Sequence, residues 1–236
     1  MRPHFLLLIA VLVGGCATQE AAVEPKEAGK ESDSVAQYVE RGHDQLLRRN
    51  YKLAITEFDR AIALCQYQFS DEGKQYYATR SLVETILYMT MAAEDGKDAV
   101  AVDTLCSDAL YLRGYADIDL GNLDSAQSFL EKAVAMAPMN SLYLSELGHI
   151  QQLKKDWPGA LETFELSVDA AEKYSPDALK SRELTRAMRG VGYIYIELGR
   201  LDEAEEMYRA CLALDPNDKG ALGELKYIEG LRQKGG

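Results

Sequence analysis

The sequence predicts an all-α chain, a solenoid of stacked helix pairs with one inserted helix and a C-terminal capping helix. Three observations carry that expectation. The segments NYKLAITEFDRAIAL, NLDSAQSFLEKAVAM, DWPGALETFELSVDA and RLDEAEEMYRACLAL align without gaps. A glycine stands twelve residues before the first alanine of each, in the pairs Gly42 and Ala54, Gly114 and Ala126, Gly148 and Ala160, Gly192 and Ala204. Four residues after each alanine comes a bulky side chain (Phe58, Leu130, Phe164, Tyr208), and three later a small one (Ala61, Ala133, Ser167, Cys211). Offsets of four and seven share one helical face, so this is the buried stripe of a helix used four times.

Composition agrees with a globular chain. Of 236 residues 47% are apolar and 27% charged, which excludes collagen-like and wholly disordered classes. Lys and Arg number 26 against 38 Asp and Glu, a net charge of −12. A phosphate-backbone binder needs a basic face, and no Lys/Arg cluster occurs here, so nucleic acid is not expected as a partner.

In chain order, the first element is an address. Arg2 is followed by the apolar run Phe5 to Val13, then Gly14, Gly15 and Cys16. Nine apolar residues make a helix of about 14 Å, half of a hydrocarbon core, so residues 1–15 read as a signal peptide and not as a lasting membrane span. VGGC resembles the bacterial lipobox, in which the cysteine is acylated and becomes the new N-terminus. That resemblance implies lipidation of Cys16 and, with Ala17 following it, a cell-envelope location at the outer membrane facing the periplasm. Removing residues 1–15 takes away Arg2 and leaves a net charge of −13. Residues 16–34 then form a lipidated cysteine and a tether whose one valine and many charges give it too little apolar surface to fold.

The remaining 35–236 form the repeat domain. Small residue in the first helix, then A-x3-F and a terminal proline in the second, resembles the tetratricopeptide repeat, a 34-residue helix pair. The resemblance covers repeats 35–68, 107–140, 141–174 and 185–218. Pro138 and Pro216 fill the terminal position, while Gln66 and Glu172 depart from it. It implies a right-handed superhelix in which the glycine lets two helices approach where the alanine faces it. Pro158 suits the first turn of its helix, where a missing N–H does no harm. Leu222, Leu225, Ile228 and Leu231 at helical spacing make 219–233 the capping helix that a solenoid requires.

Two segments interrupt the array. One, of ten residues between Gly148 and Gly192, is expected only to lengthen a helix or turn. The other, 69–106, contains KQYYATRSLVETILYMTMAAEDG, read as a helix ending at Gly96, and KDAVAVDTL, whose Ala/Val alternation favours an extended path back. Its apolar residues, including Tyr76, Leu82, Val83, Ile86 and Met89, are wider than one stripe. The segment therefore packs on two sides, as a degenerate repeat or a sealing helix, or else docks a partner or second copy. Cys65 and Cys106 flank it. They become neighbours able to form a disulfide if repeats 35–68 and 107–140 stack directly, and lie too far apart if the insertion forms a full repeat.

Catalytic signatures such as HExxH, CxxC and GxSxG are absent from the sequence, so the expectation is a non-enzyme without metal or cofactor. The repeat resemblance implies a concave groove, lined by the first helix of each pair, that takes protein or peptide partners. Carried onto this chain, its positions include His43, Tyr111, Tyr115, Asp119, His149, Gln152, Arg186, Arg189, Tyr193 and Glu197. The ninth position of successive repeats reads His43, Tyr115, His149, Tyr193, an aromatic ladder of the composition that suits peptide binding. A Lys/Asn carboxylate clamp is not matched, since Val39 and His43 hold those positions. Two functions fit. One is a membrane-anchored adaptor binding partners in the cell envelope through the groove. The other is a dedicated assembly factor of an envelope machine, resembling pilot lipoproteins in layout.

Overall fold

The computed structural model describes residues 33–235; the signal segment, Cys16 and most of the tether lie outside the described residues. Four helix pairs follow one another: α1 (Val35–Leu47) with α2 (Tyr51–Gln68), α4 (Leu105–Asp119) with α5 (Leu123–Met136), α6 (Ser141–Leu153) with α7 (Trp157–Tyr174), and α8 (Asp177–Glu197) with α9 (Leu201–Leu214). Helix α10 (Lys219–Gly235) closes the end, seating Ala221 and Ile228 against Ala204, Tyr208 and Cys211 of α9.

Local sequence sets the helix ends. Ser34 caps α1 in a reciprocal box with Gln37, Asn140 caps α6, and Asp156 caps α7 with Pro158 in its first turn. The turns inside each pair need one left-handed residue. Gly121 and Gly199 supply it at φ 77° and 72°, and Arg49 and Lys155 adopt it in the other two turns.

The glycines do something other than the sequence suggests. A methyl carbon on Gly42 would lie 2.4 Å from the Phe58 ring, on Gly148 3.1 Å from Phe164, and on Gly192 2.9 Å from Tyr208. Each glycine is thus the seat for the bulky side chain one turn beyond the alanine. At Gly114 the backbone oxygen of Ala126 stands as close, at 3.0 Å, as the Leu130 side chain at 2.9 Å. The ring is the larger object, so it claims the gap.

The insertion is not a helix alone. It folds as β1 (Lys74–Ala78), α3 (Leu82–Glu94) and β2 (Asp98–Val102), with β1 and β2 parallel in the register Tyr77↔Ala101. KQYYA was expected to be helical; its paired tyrosines favour an extended path once DAVAV supplies a partner strand, and Ser81 starts the helix by accepting the Glu84 N–H. One sheet face, with Ala78 and Val102, joins the core around Cys65 and Cys106. The other, with Tyr77 and Ala99, carries α3 through Tyr88 and Ala92. Helices α2 and α4 pack directly, and Cys65 and Cys106 form a disulfide with Cα atoms 5.8 Å apart. The insertion therefore bulges from the array and is no extra repeat.

The shorter interruption does more than lengthen α7 and α8. Arg80, at the end of β1, donates to both Glu183 oxygens on α8 at 3.0 and 3.1 Å and to Glu84 at 2.7 and 2.9 Å. The Ser175 hydroxyl also donates to Glu183. All three charged side chains are buried or nearly so, at 13%, 1% and 2% exposure for Arg80, Glu84 and Glu183. A further bond runs from the Met139 N–H to the Tyr88 hydroxyl at 3.0 Å. The two interruptions of the repeat thus grip each other across 103 residues of sequence.

Candidate peptide-binding groove

Helices α4, α6 and α8 present one face each to the concave side, and two cavities open there. The first, about 390 Å³, is walled by His149 and Gln152 of α6 and by Arg186, Arg189 and Tyr193 of α8, with Glu224 of α10 at its end. Phe164 and Tyr208, the rings seated on glycines, form its floor. The second, about 890 Å³, runs from Tyr111 past Arg182, Arg186 and Arg189 to Lys219. Arg186 and Arg189 line both and form the wall between them.

Their charges are held in place from behind. Glu146, 2% exposed, pairs with Arg186 and also faces His149 Nδ1 at 3.5 Å. Asp218, which caps α10 by accepting the Ala221 N–H, pairs with Arg189. Burial opposes the Asp218 charge, but the N–H groups of Ala221 and Gly220 and the Arg189 guanidinium outweigh it and hold the carboxyl below its usual range. Both guanidiniums are still more than a third exposed, at 38% and 37%. A guanidinium has five N–H donors and each pair here uses one, so the remaining donors face the cavities in fixed positions. Burial, then the Glu197 carboxylate, pushes the Tyr193 phenol up, so it stays a neutral donor. Tyr111 is pushed up by burial and then by Glu146, and stacks on Tyr143 with centroids 5.2 Å apart.

The residues expected from the sequence divide into two groups. His149, Gln152, Arg186, Arg189 and Tyr193 meet at the first cavity, and Tyr111 opens the second. Glu197 acts on Tyr193 without lining either. Tyr115 and Asp119 belong elsewhere: Tyr115 is 38% exposed, and the Asp119 carboxylate, after burial, raises the Tyr51 phenol at the start of α2. His43 is exposed on α1 and lines none of these cavities. The ninth-position ladder is therefore two rungs in one cavity, His149 and Tyr193, and not a continuous row. Sequence reasoning missed Glu146 and Asp218. A signal for Asp218 existed in its place just before a helical pattern; Glu146 had none, being a carboxylate on a buried face.

The groove is thus an open surface of helix faces carrying buttressed cations and phenols. Family models of the tetratricopeptide repeat match residues 107–140 and 138–217. The chain carries tetratricopeptide repeats, and its fold is an all-α solenoid of that kind. No curated protein matches it. Among solved structures, that of Pseudomonas aeruginosa pilF is similar over 85% of this chain and 69% of its own, with TM-score 0.59 and 16% identity. The first TPR of Spaghetti (RPAP3), bound to the HSP90 peptide SRMEEVD, is 23% identical over 56% of this chain and 97% of that one, TM-score 0.48. The Sgt2 TPR domain from Aspergillus fumigatus is 20% identical over 55% and 80%, TM-score 0.47.

Proposed function

We propose that the chain is a lipid-anchored scaffold of the cell envelope whose concave groove binds protein or peptide partners. Convergence of His149, Gln152, Arg186, Arg189 and Tyr193 on one cavity carries the reading. Flat phenol and imidazole surfaces cover apolar side chains at low entropy cost, and the two buttressed arginines offer donors to main-chain carbonyls or acidic groups of a bound segment. The anchor rests on the sequence around Cys16. An adaptor gathers several partners weakly; a dedicated assembly factor of an envelope machine holds one.

Photocrosslinking in cells separates these. A photoreactive residue replaces Tyr193, with a second at Ile86 on α3 as comparator, since Ile86 is 60% exposed while Tyr88 is fully buried. Several adducts from position 193 support the adaptor, and one stoichiometric adduct assigns the assembly role. Adducts from position 86 alone refute groove binding. For the anchor, Cys16→Ser should move the protein from the membrane pellet to the supernatant of lysed cells; unchanged sedimentation rejects lipidation.

A further inference from the structure

The second cavity exists because α8 is longer than a repeat needs. The helix begins at Asp177, ahead of the repeat 185–218, and its added turns bring Ala178, Ser181 and Arg182 into the wall. Arg182, Arg186, Arg189 and Tyr193 then follow at offsets of four, seven and eleven, which is one stripe along the helix. At 1.5 Å per residue the stripe is about 16 Å long. Three cations lead from the second cavity to a phenol in the first.

Along this stripe cations stand in front and carboxylates behind. Glu146 and Asp218, 2% and 5% exposed, back Arg186 and Arg189. Glu183 is engaged by Arg80 and Ser175, and Asp215 accepts the Asn217 N–H. Arg182 and Lys219 are exposed and make no ion pair among the described residues. An approaching segment therefore meets guanidinium and ammonium donors first. On a chain of net charge −12, that contrast steers acidic groups toward α8.

We propose, resting on the groove reading above, that the groove selects an extended partner segment of the pattern acidic-x-acidic-x-apolar, laid along α8. Side chains on one face of an extended chain recur about every 6.6 Å. Along the helix axis Arg186 is about 6 Å from Arg182, and the point midway between Arg189 and Tyr193 is about 13.5 Å from it. The first carboxylate thus meets Arg182 and Lys219, the second meets Arg186 and Arg189, and the apolar side chain enters the first cavity over Phe164 and Tyr208. The carboxylates that are read belong to side chains: a carboxyl terminus beside the apolar residue would meet Glu224.

The stripe sets a spacing and no direction, so the probes are two labelled, amide-capped peptides, GEAEAFG and GFAEAEG. Versions with glutamine for glutamate are the neutral comparators, and all are titrated against the full chain by fluorescence anisotropy. At least one acidic peptide should bind tenfold or more tightly than its neutral version. Arg182→Glu, an exposed change that breaks no ion pair, should remove that advantage and leave the neutral peptides as they were. Tyr193→Ala should weaken acidic and neutral peptides alike. Equal affinity of acidic and neutral peptides, lost in Tyr193→Ala, overturns the acidic pattern and leaves groove binding standing. Saturation that neither substitution changes overturns the pattern and counts against the groove as well. A tenfold preference for the free-acid form over the amide also overturns it, because a chain terminus is then what is read. If no peptide saturates at millimolar concentration the pattern falls, and adducts from position 193 decide the groove reading by themselves.

Discussion

In the repeat pairs, one bulky side chain presses on a glycine of the facing helix, and residues no more than about one repeat apart in sequence make the contact. In the βαβ insertion, the fastenings are a disulfide, an Arg80 fork to two buried glutamates and a tyrosine hydroxyl, and they span 41, 103 and 51 residues. The first kind of contact is apolar and repeated; the second is polar or covalent and unique. A repeat solenoid gains its stability from neighbours, so each pair needs the same seat. The insertion has a two-stranded sheet and one helix, which is marginal by itself, and depends on being tied to the array.

That difference is broken most severely at Phe164. Its ring sits between Gly148 and Gly190, where added methyl carbons would come within 3.1 and 2.3 Å. Phe164→Ala leaves a cavity at the meeting of α6, α7 and α8 and should destabilise the chain by about 4 kcal/mol, read as a fall in urea midpoint. Because the ring also floors the first groove cavity, partner binding should fall with it. A change confined to stability would detach the seat from the groove.

Next in size is the disulfide. Cys65→Ser together with Cys106→Ser opens a loop of about 40 residues and should cost about 3 kcal/mol, matched by wild type in strong reductant. Groove binding should survive in the folded fraction, since Cys65 and Cys106 lie on α2 and α4 away from both cavities. Cys211 does not confuse the experiment: burial raises its thiol to about 11, which keeps it protonated and inert.

Arg80→Met is expected to cost about 2 kcal/mol, less than a fully enclosed pair because the guanidinium keeps some solvent contact. The loss should be local. Amide exchange should quicken in α3 and in the first two turns of α8 and remain unchanged in α9 and α10. Uniform acceleration would mean that the two interruptions are not a separate unit.

The repeats were readable because a packing requirement recurs four times, and Gly42 with Phe58 or Gly192 with Tyr208 repeat it in register. What failed to show was anything that happens once. KQYYA looks helical until DAVAV is known to lie beside it, because strand propensity depends on the partner. Arg80 and Glu183 carry no mutual signal in sequence, since no period links them. The groove divides in the same way: Arg186, Arg189 and Tyr193 follow from helix spacing on α8, whereas the Glu146 and Asp218 carboxylates that fix the arginines come from tertiary contact. His43 shows the limit of carrying a pattern over, for it occupies the expected position without facing a cavity.

The smallest effect tests whether glycine is a seat or merely tolerated. Gly190→Ala puts a carbon 2.3 Å from the Phe164 ring and should destabilise despite the better helix propensity of alanine. Gly223 on α10 has nothing within 4 Å of the corresponding position and is exposed. Gly223→Ala should therefore gain up to about 1 kcal/mol through reduced chain entropy in the unfolded state, seen as a small rise in Tm. The two substitutions are chemically identical and sit in helices, so opposite signs isolate the cost of filling the seat. Equal signs would mean that the ring of Phe164 can shift aside to admit the added carbon.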